Sequence, residues 1–180
     1  SGPATGEVHG QNIHWVFDEP ELESAEVTVT PRVLAFDIET DPAADRLLAI
    51  SLYSPLHARA STVVDEVLIV APDPRQMPEK AIGYPDERAV LEAFCRRISE
   101  LDPDVLTGWN VIDFDLSVLA KVAARVRHPL PLGREPGAMG IRPAQGYFGS
   151  GHANIPGRLV LDGIDLTRGA FMRFDDFSLD

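Results

Sequence analysis

Residues 33–40 read VLAFDIET, four apolar residues followed by alternating acidic and apolar positions before a threonine. The apolar half predicts a strand buried on both faces. Successive side chains of a strand point to opposite faces, so Asp37 and Glu39 share one face and Phe36 and Ile38 the other. Two like charges on one face repel each other unless something positive lies between them. The stretch therefore predicts a strand that ends in a charged site.

Further strands and helices surround this stretch. Apolar periodicity predicts strands at about 47–53, 62–70, 104–108 and 158–163, and helices at about 86–101 and 113–127. The Gly- and Pro-rich residues 129–151 are expected to form a loop or a hairpin. This order predicts an α/β fold with helices packed on a mixed sheet. Ligands of open α/β sheets gather beyond the carboxyl ends of central strands, where Asp37 and Glu39 fall.

The remaining segments fix the domain boundaries. Residues 1–30 are interpreted as a peripheral lead-in, although 13–17 (IHWVF) and 26–30 (EVTVT) could be short strands, and residues 31–180 form the domain. Cys95 lies in the apolar stripe of the first helix, which predicts a buried residue rather than a nucleophile. A single cysteine excludes an internal disulfide and favours the cytoplasm. No apolar run approaches the ~20 residues of a membrane span.

The net charge of the chain restricts its partners. Sixteen basic and 28 acidic residues give −12 at pH 7 among 180 residues. Such a chain is not expected to hold nucleic acid through Lys and Arg alone. Divalent cations would supply positive charge locally, and carboxylate oxygens are their preferred ligands. The charge therefore indicates a metal site.

A second acidic stretch, DPDVLTGWNVIDFDLSVLAK at 102–121, leads from the strand at 104–108 into the second helix. Asp113 is predicted to be the N-cap, and Asp115 falls in the first turn and could face the same crevice as Asp37. Ordinary structural explanations also exist. Acids in a first turn oppose the helix dipole, and an Asp-x-Glu pair is a common surface pattern.

The two acidic stretches together resemble a known family. DIET at 37–40 resembles the first exonuclease motif of the proofreading domain of family B DNA polymerases, and Asn110 to Asp115 matches the second motif, N-x-x-x-F-D. The flanking segments 129–135 (PLPLGRE), 157–166 (GRLVLDGIDL) and 177–180 (FSLD) are similar to bacterial members of the family. The resemblance covers residues 31–180.

This resemblance implies a ribonuclease H-like three-layer fold with a mixed central sheet and helices on both faces. It also implies removal of nucleotides from the 3′ end of single-stranded DNA with two Mg²⁺ or Mn²⁺ ions. By analogy, Asp37 would bridge both metals, Glu39 would bind the metal that carries the attacking water, and Asp115 would hold the second metal. The substrate pocket would be lined by Thr40, Asn110 and Phe114. Aromatic residues in such places are more often core, so Phe114 and Trp109 are expected to be buried.

The third motif of the family, Y-x-x-x-D, is not found. The residues four positions after Tyr53, Tyr84 and Tyr147 are not acidic. The histidine variant, H-x-x-x-x-D, is also missing in the required order. The chain is therefore expected to stop before this motif, to lack the last helix of the fold and to have its fourth metal ligand beyond Asp180. Weaker stand-ins for that ligand are Asp162, Asp165, Asp175 and Asp176.

Three interpretations remain open from the sequence. The favoured one is a proofreading exonuclease domain of a bacterial polymerase, whose partners are a DNA 3′ end and the remaining polymerase domains. The second is a catalytically silent module of the same fold that binds DNA or docks polymerase domains. The third is a divalent-ion domain acting on a small phosphorylated substrate. A Y-x-x-x-D motif downstream of Asp180 would favour the enzyme.

Overall fold

The computed structural model describes residues 19, 21, 23–55, 63–71, 73, 77, 79–144 and 149–170. These residues form eight strands, three α-helices and one π-helix. The strands are β1 (Val33–Thr40), β2 (Leu47–Ser54), β3 (Val64–Val70), β4 (Ala81–Tyr84), β5 (Val105–Gly108), β6 (Gly140–Arg142), β7 (His152–Asn154) and β8 (Leu159–Asp162). The helices are α1 (Glu87–Leu101), the π-helix (Val111–Leu116), α2 (Ser117–Arg125) and α3 (Gly163–Gly169).

Six strands make one mixed sheet in the order β4-β3-β2-β1-β5-β8. Strand β2 pairs antiparallel with both β1 and β3, and the other three pairs are parallel. Strands β6 and β7 form a separate antiparallel pair, whose second strand begins just after the loop or hairpin predicted for residues 129–151. The predicted α/β class with a mixed sheet is confirmed. Strand β4 and helix α3 were not predicted, because both are short and carry weak periodicity.

The core lies between the sheet and helices α1 and α2. Leu34, Phe36 and Ile38 of β1 are buried, whereas Asp37 and Glu39 are exposed, so the predicted alternation is confirmed. The predicted burial of the apolar half on both faces is wrong, because Val33 is exposed and the face that it shares with the acids is not covered by the helices of the core. The ring centroids of Phe36 and Phe94 lie 5.3 Å apart, which joins β1 to α1. Fully burying one such aromatic or aliphatic side chain contributes about 1.5–3 kcal/mol.

Helix α1 follows its predicted apolar stripe. Its N-cap is Asp86, whose carboxylate accepts a hydrogen bond from Ala89 N at 2.9 Å. The predicted buried positions, including Cys95, all face the core. Burial raises the pKa of the Cys95 thiol to about 12, so the residue is an inert apolar group, as predicted.

The lead-in differs from its prediction. Residues 26–30 form no strand, and Val27 and Val29 are largely exposed. Their β-favouring alternation has no strand partner, and a lone strand cannot satisfy its backbone hydrogen bonds. The segment predicted as a strand at 13–17 lies outside the described residues. Among the described residues, no helix is both long and apolar enough to cross a membrane.

A cluster of ion pairs closes the end of the sheet where β1 and β5 begin. We call it the arginine cluster, and it comprises Arg32, Asp102, Asp104, Arg134 and Arg158. Arg134 Nε and Arg158 Nη1 donate to Asp102 Oδ1 at 2.6 and 3.0 Å. Two donors of Arg32 reach Asp104 at 3.2 and 3.0 Å. The cluster joins four segments that are far apart in the sequence.

Candidate active site

The acidic end of β1 is shaped by the point at which β5 leaves it. Parallel pairing between the two strands runs only from Val33 to Ala35 on β1. Strand β5 ends at Gly108, where an added Cβ would lie 2.4 Å from Phe36 O. Only glycine permits this approach of the two backbones. Beyond it, no described strand pairs with the edge of β1 that carries the Ile38 amide.

A carboxylate occupies that edge. Asp115 Oδ1 accepts a hydrogen bond from Ile38 N at 3.0 Å, and the Asp115 side chain is buried. This contact joins residues 77 positions apart in the sequence. Because Ile38 lies between Asp37 and Glu39, the contact brings the three predicted acids to one end of β1. The structure thus places Asp115 beside Asp37, but within the described residues the three predicted acids do not form a three-ligand cluster.

The electrostatics of these acids are unfavourable when all are ionised. Burial, followed by the charges of Asp37 and Asp162, raises the pKa of Asp115 to about 7, although the hydrogen bond from Ile38 N acts in the opposite direction. Burial and the charge of Glu39 raise the pKa of Asp37. Such clusters of carboxyl groups with raised pKa values are typical of functional sites, because a bound cation or a proton must offset the repulsion.

The π-helix differs from the predicted helix start. The helical segment begins at Val111 rather than at Asp113, and Asp115 is the fifth π-helical residue. Asn110 occupies the N-cap position at φ +56° with no side-chain capping bond. Asp113 is exposed and accepts from Ala144 N at 3.0 Å, so its predicted N-cap role is wrong. The wider π-helical turn gives Asp115 its orientation toward β1, and such turns are frequent at functional sites.

The three predicted substrate residues lie at three separate positions near the acids. Asn110 lines a cleft of about 180 Å³ together with Asp113, Asp162 and Arg168. Thr40 lies at the end of β1, where a β-bulge in the pairing with β2 follows Glu39. Phe114 is 38% exposed, so the expectation that it belongs to the core is wrong. It lies on the side of the π-helix that faces solvent.

The face of the sheet on which Asp37 lies also carries an apolar depression. Its volume is about 340 Å³, and Trp109, Tyr53 and Ala35 contribute to its wall. Trp109 is half-buried there rather than enclosed in the core. No sequence pattern indicated this depression, because its residues come from three strands and one turn.

Asp162 is the site residue whose contacts sequence reasoning missed. It is the last residue of β8 and is 7% exposed. Its Oδ2 accepts from Ile112 N at 3.1 Å and its Oδ1 accepts from Ile164 N at 2.9 Å. An Asp between a short apolar strand and Gly163 is a helix N-cap signal that could have revealed half of this arrangement.

The three predicted acids provide ligand atoms of one kind. Asp37, Glu39 and Asp115 offer only carboxylate oxygens, the ligands that Mg²⁺ and Mn²⁺ prefer. Within the described ranges, however, no three acidic, histidine or cysteine side chains are close enough to hold a metal ion. The chemistry of the donors fits a divalent cation. Of the three acids, Asp37 and Asp115 are close enough for the charge of one to raise the pKa of the other.

Comparison with known proteins agrees with this geometry. A family model described as DNA polymerase family B, exonuclease domain, matches residues 3–180, and the chain belongs to this family. Nuclease activity and a requirement for metal ions are general properties of these domains. The chain is 42% identical over 91 residues to DNA polymerase II of Escherichia coli strain K12, which covers 51% of this chain and 12% of that polymerase. The predicted resemblance to the bacterial branch of the family is confirmed.

Less similar relatives are also DNA polymerases. A DNA polymerase of Archaeoglobus fulgidus is 33% identical over 94 residues, covering 52% of this chain and 11% of the relative. The solved family B DNA polymerase from the hyperthermophilic archaeon Pyrobaculum calidifontis matches with a TM-score of 0.54 and 26% identity, covering 77% of this chain and 16% of that one. These matches confirm the predicted ribonuclease H-like fold. The chain spans only a small part of each polymerase.

Proposed function

We propose that this domain removes nucleotides from the 3′ end of single-stranded DNA with the help of two divalent cations. The observation that carries the proposal is the contact of the buried Asp115 carboxylate with Ile38 N, between Asp37 and Glu39. A carboxyl group of raised pKa in such a place has a cost that a cation would remove. Family membership supports nuclease chemistry at this end of the sheet.

Asp37, Glu39 and Asp115 would hold the cations. When bound, the two ions would lower the pKa of the attacking water and offset the charge that develops on the phosphate. The protein's own contribution is to fix the carboxylates. Strand β1 directs Asp37 and Glu39 to one face, and the Ile38 amide holds Asp115 beside them. Such fixed positions contribute strongly to phosphoryl transfer, because little rearrangement is needed during the reaction.

The substrate would be held by groups next to the acids. The exposed ring of Phe114 offers a face on which a base can stack, which is the usual way of binding single strands. Asn110, at the mouth of the neighbouring cleft, can donate to a sugar or phosphate oxygen. Thr40 lies one residue beyond Glu39. The high negative charge of the chain leaves little affinity from Lys and Arg, so cations would also anchor the phosphates.

The domain would have defined boundaries and neighbouring domains. Residues 31–180 would form the exonuclease unit and 1–30 a lead-in, since the described residues 23–30 form no strand. The unit would act beside the remaining domains of a polymerase, as the much longer relatives suggest. In a bacterium this activity would lie in the cytoplasm, where the chromosome is.

The test is a pair of measurements on the same preparation. Calorimetric titration of Mn²⁺ should show binding that Asp37→Asn abolishes and that Asp65→Asn, a matched exposed acid on β3, preserves. A single-stranded oligonucleotide labelled at its 5′ end should then shorten one nucleotide at a time when Mn²⁺ is present. Cation binding that is indifferent to Asp37, together with an intact oligonucleotide, would refute the proposal.

A catalytically silent module is the second candidate, and one observation favours it. No three-ligand metal cluster is assembled in the described part of the chain. A silent module would bind single-stranded DNA equally well with EDTA and with Mn²⁺, and would leave it uncut. The exonuclease should bind the oligonucleotide more tightly with Mn²⁺ than with EDTA and should cut it. The same oligonucleotide therefore distinguishes the two candidates.

A further inference from the structure

Asp162 connects two helical segments through one carboxylate. It ends β8 opposite Gly108 of β5, in the parallel register of the two strands. One oxygen accepts from Ile164 N at 2.9 Å and caps α3, and the other accepts from Ile112 N at 3.1 Å. The second bond spans 50 residues and is buried. Asp162 therefore does more than begin its own helix.

The π-helix needs this second bond. The first amides of any helix lack partners within it, and the N-cap residue usually supplies one. Asn110 makes no such side-chain bond. The cap at Ile112 comes instead from the neighbouring strand. Three residues later, Asp115 accepts from Ile38 N on β1. Two buried acids thus connect the short π-helix to the sheet: Asp162 joins it to β8, and Asp115 joins it to β1.

We propose that Asp162 is a positioning residue for the carboxylate site. Its bond to the Ile112 amide fixes the π-helix against β8, and this keeps Asp115 against the edge of β1 beside Asp37. The consequence for cleavage rests on the proposed exonuclease function, whereas the positioning itself concerns only this chain.

The choice of side chain supports the inference. A carboxylate has two oxygens that can each accept a hydrogen bond, and both Ile112 N and Ile164 N need one. Serine would cap α3 equally well but is too short to reach the second amide. A second acid near Asp115 is also electrostatically unfavourable. A neutral N-cap residue would have avoided the repulsion between Asp162 and Asp115. The two hydrogen bonds that the Asp162 carboxylate accepts therefore outweigh this repulsion.

The experiment compares Asp162→Ser with the wild-type chain by amide hydrogen exchange and nitrogen-proton NMR. The α3 cap should survive, so Ile164 should stay protected. The Ile38 amide, which lies on a different strand, should shift and exchange roughly tenfold faster, because its acceptor has moved. Asp86→Ser is the matched control, since it exchanges the same residue types at the N-cap of α1 and should leave Ile38 unchanged.

A second variant guards against a chain that fails to fold. Asp162→Asn keeps the size of the side chain but only one acceptor oxygen, so one of the two bonds must weaken. If Ile112 loses protection while Ile38 keeps its shift and exchange rate, Asp162 does not position Asp115 and the inference is wrong. Neither measurement uses metal or DNA, so the result stands whether or not the domain cleaves DNA.

The consequence for the site is tested separately. Mn²⁺ affinity of Asp162→Ser should fall by roughly tenfold if Asp115 is displaced. A chain that binds no Mn²⁺ at all, yet shows the Ile38 change, would refute the exonuclease proposal and support the positioning role. Unchanged Mn²⁺ affinity with an altered Ile38 amide would refute the role of Asp162 in the metal site.

Discussion

Acidic side chains lie at both ends of β1, but their pKa values are shifted in opposite directions. In the arginine cluster, hydrogen bonds from Arg32 hold the pKa of Asp104 well below its usual range. Burial alone would raise the pKa of Asp102, but Arg134, Arg158 and Arg32 keep it low. At the other end of the strand, burial and neighbouring acids raise the pKa values of Asp37 and Asp115.

This contrast shows that carboxylates are stabilised as anions at one end of β1 and destabilised as anions at the other. The acids at the first end are paired with arginines, whereas those at the second end lie near other acids, an arrangement that is more common at functional sites. Burial by itself therefore does not distinguish the two. The direction of the pKa shift differs between the two ends, because arginines surround the acids at one end and other acids surround those at the other.

The largest expected effect comes from breaking the arginine cluster. Asp102→Asn keeps the left-handed backbone at φ +47° but removes the charge that Arg158 and Arg134 contact. Because Arg158 is almost fully buried, its charge would be left unpaired, and the free energy of unfolding should fall by about 3–5 kcal/mol. Urea denaturation at pH 7 measures it.

The matched control is Asp65→Asn, which breaks the exposed ion pair with Lys80. Its cost should stay within about 1 kcal/mol, because exposed pairs contribute little. Equal effects of the two substitutions would remove the distinction between the arginine cluster and an ordinary surface pair.

The second effect concerns the other end of β1 and depends on pH. The folded-state pKa of Asp115 is raised to about 7, so the unfolded chain ionises first as the pH increases. Wild-type stability should therefore fall between about pH 4 and pH 7 relative to Asp115→Asn, by about 4 kcal/mol at most. Below pH 4 the two proteins should be alike, apart from the altered hydrogen bond.

Urea denaturation in metal-free buffer at pH 4, 5.5 and 8 gives the profile. Asp113→Asn, on the same π-helix but exposed, is the control and should run parallel to wild type. A stability difference that does not grow with pH would show that Asp115 is not held in the crowded environment described above.

A steric substitution tests the junction that forms the site. Gly108→Ala places a Cβ 2.4 Å from Phe36 O, so β5 and β1 must separate and stability should fall by about 1–3 kcal/mol. Gly140→Ala, where an added Cβ meets nothing within 4 Å, should change stability by less than about 0.5 kcal/mol. Thermal denaturation of both proteins makes the comparison. If they melt alike, the close approach at Gly108 is not essential.

The smallest expected effect is that of the cation. At pH 8, Mg²⁺ at ten times its dissociation constant should stabilise the chain by about 1.4 kcal/mol, because it binds the folded state only. Asp37→Asn should lose this gain, whereas Asp102→Asn, at the other end of the strand, should keep it. Potassium chloride of equal ionic strength controls for screening. An identical gain in both variants would mean that Mg²⁺ acts elsewhere.

Local pattern predicted a large part of this protein. The alternation in β1 predicted which acids leave the core, and the stripe of α1 predicted the burial of Cys95. Both predictions succeed because neighbours in a strand or helix have fixed relative directions. The helix containing Asp115 was predicted as well, but its start and its N-cap were not, because the π-helix takes its cap from another strand.

The sequence by itself thus determined the α/β class, the strand that carries Asp37 and Glu39, and the motif that carries Asp115. Only the tertiary structure decided the contact of Asp115 with Ile38, the double role of Asp162 and the pairing within the arginine cluster. Each of these joins residues that are 30 or more positions apart. Such contacts depend on where β5 leaves β1 and how β8 lies beside it, and no local periodicity encodes that geometry.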